Sequence, residues 1–195
     1  MAKEFFPLPA NLPVPIDDGA AAHLRGLSLP DLALPSTDGS SVKLAELSGR
    51  RVIYVYPRTG QPGVDVPEGW DATPGARGCT PQSCAFRDHF AELAALAAGV
   101  FGLSSQTTAY QREARDRLHL PFELLSDSAL QLETKLGLPT FDVAGMHLFK
   151  RLTLIVEDAR ITQVFYPVFP PDQNAEDVVR WLQENTARGQ GAVDP

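Results

Sequence analysis

Gly78-Cys79-Thr80-Pro81-Gln82-Ser83-Cys84-Ala85-Phe86-Arg87-Asp88 carries both cysteines of this chain, and its setting decides how the rest is read. Upstream lies Arg51-Val52-Ile53-Tyr54-Val55-Tyr56-Pro57, a β-branched and aromatic run that fits a buried central strand. Between them, Arg58 to Gly78 is rich in Gly and Pro and reads as irregular. Downstream, Cys84 to Ala98 spaces Phe86, Phe90, Leu93, Ala94 and Ala97 at helical intervals, with Gly99 where a helix-ending glycine belongs. The quoted stretch therefore follows a strand and a loop, and it opens a helix. A cysteine there lies near unpaired backbone N–H groups and the positive end of the helix dipole, both of which favour a thiolate nucleophile.

Working outward, strands and helices alternate. Leu32 to Leu44 reads as a small hairpin turning at Asp38-Gly39. Val100 to Ser105 is a second strand, Thr107 to Leu118 an amphipathic helix, Phe122 to Asp127 a third strand, and Ala129 to Leu136 a short helix ended by Gly137. Leu152 to Phe165 makes a two-strand hairpin turning near Asp158, and Ala175 to Asn185 a final helix with Val178, Val179, Trp181 and Leu182 facing in. This order predicts an α/β sandwich. Residues 1–25, spaced by Pro7, Pro9, Pro13 and Pro15, read as an extended surface arm outside the core. Residues 26–187 then form the domain, and 188–195 a flexible tail.

At 195 residues the chain suits one sizeable domain, and a net charge of −7 with no long basic run argues against nucleic acid as a partner. No stretch approaches a membrane span, and the opening residues lack a secretory pattern, so a cytoplasmic protein is expected. Two cysteines are too few for a disulfide scaffold; their closeness points to redox chemistry or metal binding. His23, His89, His119 and His147 are scattered, so neither a metal nor any other cofactor is expected. The glycines between Gly60 and Gly78 lack the Lys-Ser/Thr ending of a phosphate loop.

The pattern Gly-Cys-Thr-x-x-x-Cys-x-Phe-Arg-Asp resembles the active site of peroxiredoxins of the bacterioferritin-comigratory, or peroxiredoxin Q, class, and the order of elements from Leu27 to Asn185 is also similar. The resemblance implies a thioredoxin-like fold with a central mixed β-sheet flanked by helices. It implies a thiol-dependent peroxidase acting on hydrogen peroxide and organic hydroperoxides. Cys79 would be the peroxidatic residue and Cys84 the resolving one, joined transiently by a disulfide and reset by thioredoxin or a similar dithiol. Arg151 would hold the thiolate and orient the peroxide, Pro57 would shield the sulfur, and Arg87 is either the family's helix arginine or a surface ion-pair partner of Asp88 or Glu92. By analogy with the class, the resemblance implies a monomer or weak dimer. A rival reading is a redox sensor or adaptor of the same fold, whose disulfide signals without efficient turnover.

The chain departs from that pattern. In the family a proline, a threonine and the peroxidatic cysteine share one short loop, with the threonine three residues before the cysteine. That position is Ala76 here, and Pro57 lies far upstream, with an insert over about residues 60–76 between them. The hydroxyl that contacts the peroxide then comes from Thr59 or from Thr73, and Thr59 keeps closer company with Pro57. Within the insert, Val64, Val66 and Trp70 either fold over the cysteine as a lid or form a surface loop that buries Trp70 for stability.

Overall fold

The computed structural model describes Leu8 and residues 11–190, and the side chains of those residues up to Asn185. Strand β3 (Arg50–Val55) is the axis of the molecule. It pairs in parallel with β4 (Ala98–Ser104), which pairs in parallel with β5 (Glu123–Ser126). On its other side β3 meets β8 (Leu152–Glu157) antiparallel, and β8 meets β9 (Arg160–Phe165) antiparallel. The result is a mixed five-stranded sheet in the order β5-β4-β3-β8-β9.

Side chains alternate across a strand, so a strand buried on both faces divides its residues between two cores. Ile53 and Val55 join Leu103, Leu125, Leu154 and Val156 on one face. Val52 and Tyr54 join Val100, Leu124 and Ile155 on the other. The second core is closed by Phe86 of α1 (Cys79–Asp88), Leu93 of α2 (Phe90–Ala95), and Val178 and Leu182 of α5 (Asn174–Gln190). The first is closed by Leu34 of β1 (Ala33–Pro35) and by Leu132 and Leu136 of α4 (Gln131–Leu136). Hairpin β1–β2 (Ser41–Lys43) turns through Asp38-Gly39, as the sequence indicates. Helix α3 (Thr108–Arg117) is capped by the Thr107 hydroxyl, which accepts from the Tyr110 N–H at 3.3 Å, and it packs on β5. At α4 the Asp127 carboxylate accepts the N–H groups of Gln131 and Leu132 at 2.9 and 2.8 Å, and Gly137 takes the left-handed turn that ends the helix.

Five expectations are corrected. The helix expected from Cys84 begins at Cys79 and is interrupted at His89, whose ψ of 8° separates α1 from α2. Gly99 caps nothing: it lies in β4 opposite Arg51, whose side chain covers it, so that a Cβ there would sit 3.1 Å from the Arg51 Cδ. Within the arm, Ala21 and Leu24 are core residues, because a turn at Gly19 carries the chain down onto the sheet. Helix α5 runs on to Gln190 where a tail was expected from residue 188; residues 191–195 lie outside the described residues, as do 1–7, 9 and 10 of the arm. Finally, β6 (Thr140–Val143) and β7 (Met146–Phe149) form a hairpin not foreseen, turning through Ala144 and Gly145, both at positive φ. Its apolar side, Val143 and Leu148, receives Trp70 in a small third cluster.

Candidate active site

Helix α1 starts abruptly. Gly78 has φ 102°, and a Cβ there would lie 2.3 Å from the Cγ of Pro171, so only glycine lets the turn before α5 close on the helix start. Cys79 follows at once, with 3% of its surface exposed. Its sulfur receives the Arg151 Nη2 at 3.1 Å and the backbone N–H of Arg58 at 3.4 Å, and lies 3.6 Å from the Ala76 carbonyl.

Arg151, immediately before β8, is also 3% exposed. Its Nη2 donates to the carbonyls of Gly75, Ala76 and Arg77 at 3.2, 3.2 and 3.0 Å, and its Nη1 to the Gln82 Oε1. Gln82 in turn donates to the Asn174 Oδ1 at 3.0 Å, which also accepts from the Thr153 hydroxyl at 2.6 Å. A buried polar chain thus runs Thr153–Asn174–Gln82–Arg151–Cys79. Among the described residues, no carboxylate contacts Arg151. A buried guanidinium met only by dipoles calls for a counter-charge, and among the described residues the Cys79 sulfur is the contact able to supply it.

Cys84 sits on the same helix, half-buried against the second core, and both thiols are free. Burial pushes its thiol above the ordinary cysteine range, against the opposing influence of Arg87. Arg87 itself pairs with Asp88 at 2.9 Å and donates to the Leu118 carbonyl at 2.9 Å. Five residues along an α-helix place the two cysteines about 140° apart around the axis and about 7.5 Å apart along it. That exceeds disulfide reach unless the helix opens.

Of the other candidates, Pro57 is buried at the end of β3, its carbonyl accepting from the Ser104 hydroxyl at 3.0 Å, one residue before the N–H that meets the sulfur. Thr59 is not brought to the sulfur: it is buried, and its N–H and hydroxyl both turn to the Gln106 Oε1, at 3.0 and 3.2 Å. Thr73 spends its hydroxyl on the Gly69 carbonyl at 2.8 Å and lies outside the cavity on Cys79. Gln82, Asn174 and the Arg58 N–H were missed. Gln82 had one signal, a polar residue one turn after Cys79 on the same helix face. Asn174 had none, being 92 residues from its partner.

Cys79 opens into a cavity of about 460 Å³ whose lining includes Arg58, Thr80, Arg117 and, from the insert, Val64, Val66 and Trp70. Trp70 is only 5% exposed and belongs both to this wall and to the cluster on β6–β7, so the lid and the stability readings each describe part of it. Among the described residues, no group of three or more His, Cys, Asp or Glu is placed to hold a metal ion, and no helix is long and apolar enough to cross a membrane.

Comparison with known proteins shows the family and the fold. The Redoxin family model matches residues 24–179. Chloroplastic peroxiredoxin Q of Oryza sativa subsp. japonica is 30% identical over 184 residues, covering 91% of this chain and 77% of its own. Peroxiredoxin bcp1 of Schizosaccharomyces pombe is 34% identical over 111 residues, 56% of this chain and 49% of its own. Among solved structures, peroxidoxin BcpB from Mycobacterium tuberculosis superposes with a TM-score of 0.65 at 23% identity, over 82% of this chain and 96% of that one. The bacterioferritin comigratory protein of Xanthomonas campestris, described for its alkyl peroxide reduction, gives 0.62 at 21% identity, over 91% and 99%.

Proposed function

Since this chain belongs to the Redoxin family and is a thiol-dependent peroxidase of the bacterioferritin-comigratory/peroxiredoxin Q class, we propose that Cys79 is its peroxidatic residue and Cys84 its resolving one. The observation that carries this is the Arg151 guanidinium, buried without a carboxylate and 3.1 Å from the Cys79 sulfur. A thiolate there completes the charge pair. It attacks the distal oxygen of a hydroperoxide; the S–O bond forms as the O–O bond breaks, Cys79 becomes a sulfenic acid, and the alkoxide leaves to be protonated. Arg151 and the Arg58 N–H lie where they can donate to the sulfur and to the peroxide oxygens.

Helix α1 then opens at its first turn, and the Cys84 thiol condenses with the sulfenic acid, releasing water and forming the disulfide. A dithiol of the thioredoxin kind restores both thiols by exchange. Pro57 closes one side of the sulfur's surroundings, while substrate contact by a threonine hydroxyl falls to neither Thr59 nor Thr73 as they are placed; Thr80, on the cavity wall, is the candidate that remains. We read the domain from the turn at Gly19 through helix α5 as the catalytic unit, acting as a monomer or weak dimer. Two free thiols that must be re-reduced in each cycle suit a reducing compartment such as the cytoplasm.

Reduced protein treated with stoichiometric hydrogen peroxide, thiol-blocked and mapped by mass spectrometry tests the reading. A Cys79–Cys84 crosslink, with sustained consumption once thioredoxin, its reductase and NADPH are added, is expected. An oxidised Cys79 beside a free Cys84 would remove Cys84 from the cycle.

A further inference from the structure

Arg151 meets the Cys79 sulfur, and it also lines a second cavity, of about 380 Å³, to which Cys79 does not contribute. Gly75, whose carbonyl helps to hold the guanidinium, belongs to the same wall. A molecule lodged there would touch the mount of the guanidinium without entering the space on the sulfur. The volume falls in the range that encloses small organic ligands.

The wall is apolar. Val14 and Ile16 of the arm, 61% and 85% exposed, line it together with Phe141 of β6 and with Tyr166, Pro167 and Val168 after β9. Single exposed aliphatic residues are ordinary on a surface. Two on one short stretch, bordering a cavity that also holds two aromatic rings, leave apolar area for a ligand to cover. Flat rings suit such a wall, because aromatic pairs gain beyond the area they bury.

Charge narrows the ligand. Lys150 and Arg151 line the cavity against one acid, Asp18. Asp18 is fully committed: its Oδ2 accepts from the Lys150 ammonium at 2.5 Å, and its Oδ1 from the Tyr166 hydroxyl at 2.7 Å and the Ala20 N–H at 3.1 Å. It takes only one of the three donors an ammonium carries. The Arg151 Nε is buried and donates to nothing among the described residues, and an orphaned buried donor is both costly and rare. Two cations with donors to spare, beside one satisfied acid, fit a carboxylate on a flat apolar body.

We propose that this cavity is a regulatory site for aromatic carboxylates, separate from the peroxide's. The ring lies against Ile16, Phe141 and Tyr166, and the carboxylate meets Lys150 beside Arg151. The added anion competes with the Cys79 thiolate for the charge of the guanidinium, so occupancy slows attack by Cys79. Binding is independent of the peroxidase reading above; the effect on turnover rests on it.

The test uses 2-naphthoate and its methyl ester as probes, with affinity measured by calorimetry on the reduced protein. The acid should bind about tenfold more tightly than the ester, the value of one charge-assisted contact, and Lys150→Gln should erase that difference. Val14→Ser/Ile16→Ser should weaken both probes by about tenfold, as loss of apolar contact requires, while Val64→Ser/Val66→Ser, in the cavity on Cys79, should change neither. Saturating 2-naphthoate should slow iodoacetamide alkylation of Cys79 and lower kcat/KM for hydrogen peroxide, each by about 3–10-fold and to a plateau; the ester should do neither. Equal affinity for acid and ester, or binding lost in the Val64/Val66 variant instead of the Val14/Ile16 one, would overturn the proposal. So would binding that leaves both rates unchanged, or inhibition that runs to completion as a blocker of the Cys79 cavity would. Failure of the unliganded protein to consume peroxide would bring down the peroxidase reading, with the binding and alkylation measurements still deciding this one.

Discussion

Replacing Gln82 by alanine should push the two halves of the catalytic cycle in opposite directions. In the wound helix Gln82 accepts from Arg151 and donates to Asn174, fully buried. A hydrogen bond to a charged group contributes about 1.5–3 kcal/mol and a neutral one about 0.5–1.5 kcal/mol. Water entering the vacated space returns part of this, leaving about 2 kcal/mol lost from the wound state. The opened α1 keeps neither contact, so its population should rise roughly 30-fold. The sulfur keeps its contact with the Arg151 Nη2, which three carbonyls still hold, so attack on peroxide should slow only about tenfold through a less firmly aimed guanidinium. Trp70, in the wall of the same cavity, offers a fluorescence signal for stopped-flow mixing with peroxide. The phase proportional to peroxide should fall about tenfold, and the peroxide-independent phase should quicken by about 10–30-fold. A second phase as slow as that of the unaltered protein, or slower, would refute the link between helix winding and resolution.

Three further outcomes are expected. Gly78→Ala forces a Cβ to within 2.3 Å of Pro171 at a positive φ, which should cost about 2–3 kcal/mol and lower the melting temperature by about 4–10 °C, with peroxidase activity falling alongside; an unshifted calorimetric transition would contradict the close approach. Burial raises the Cys84 thiol, so its neutral form favours the wound helix below the ordinary cysteine value of about 8.5, and that preference fades as pH climbs through the raised value. Resolution measured by stopped flow should therefore accelerate from pH 7 to pH 9, and a flat profile would sink the argument. His147 is raised by its hydrogen bond to Glu133 and then by Asp142, so what it adds to the β6–β7 hairpin is present below about pH 6.5 and lost as pH rises through its raised value. A proton NMR titration should show a midpoint above the ordinary histidine value that drops back in Glu133→Gln; no change in that variant would discount the pair.

What could be read beforehand follows from where the information lies. Strand β3 was legible because burial on both faces demands an unbroken run of Val, Ile and Tyr. That the cysteine stretch opens a helix was legible, but the first turn from Cys79 was not, because Cys79 to Ser83 lacks the apolar spacing that marks the helix from Cys84 on. Hairpin β6–β7 escaped notice: its apolar residues pack on Trp70 of the insert rather than on the sheet, and a satellite cluster leaves a weaker pattern than a core. Leu24 was misjudged because prolines around it spoke louder than the turn at Gly19 that drives it inward. The Gln106 side chain that draws Thr59 away from the sulfur lies 47 residues on, beyond anything local sequence can pair. The Arg151–Cys79 contact spans 72 residues and was reached only through resemblance.

The stretch between β3 and α1 is fastened at both ends. Near its start the Arg58 N–H holds the sulfur and Arg117 holds the Gly60 carbonyl; near its finish three consecutive carbonyls, of residues 75–77, hang on Arg151. The groups that touch the sulfur therefore come from outside residues 61–72, which line the cavity beyond it and rest on the β6–β7 hairpin through Trp70. Such an arrangement separates the groups that tune the sulfur from the segment that shapes the cavity beside it. It also gives an engineer a defined place to graft new substrate-binding walls onto a working thiol centre.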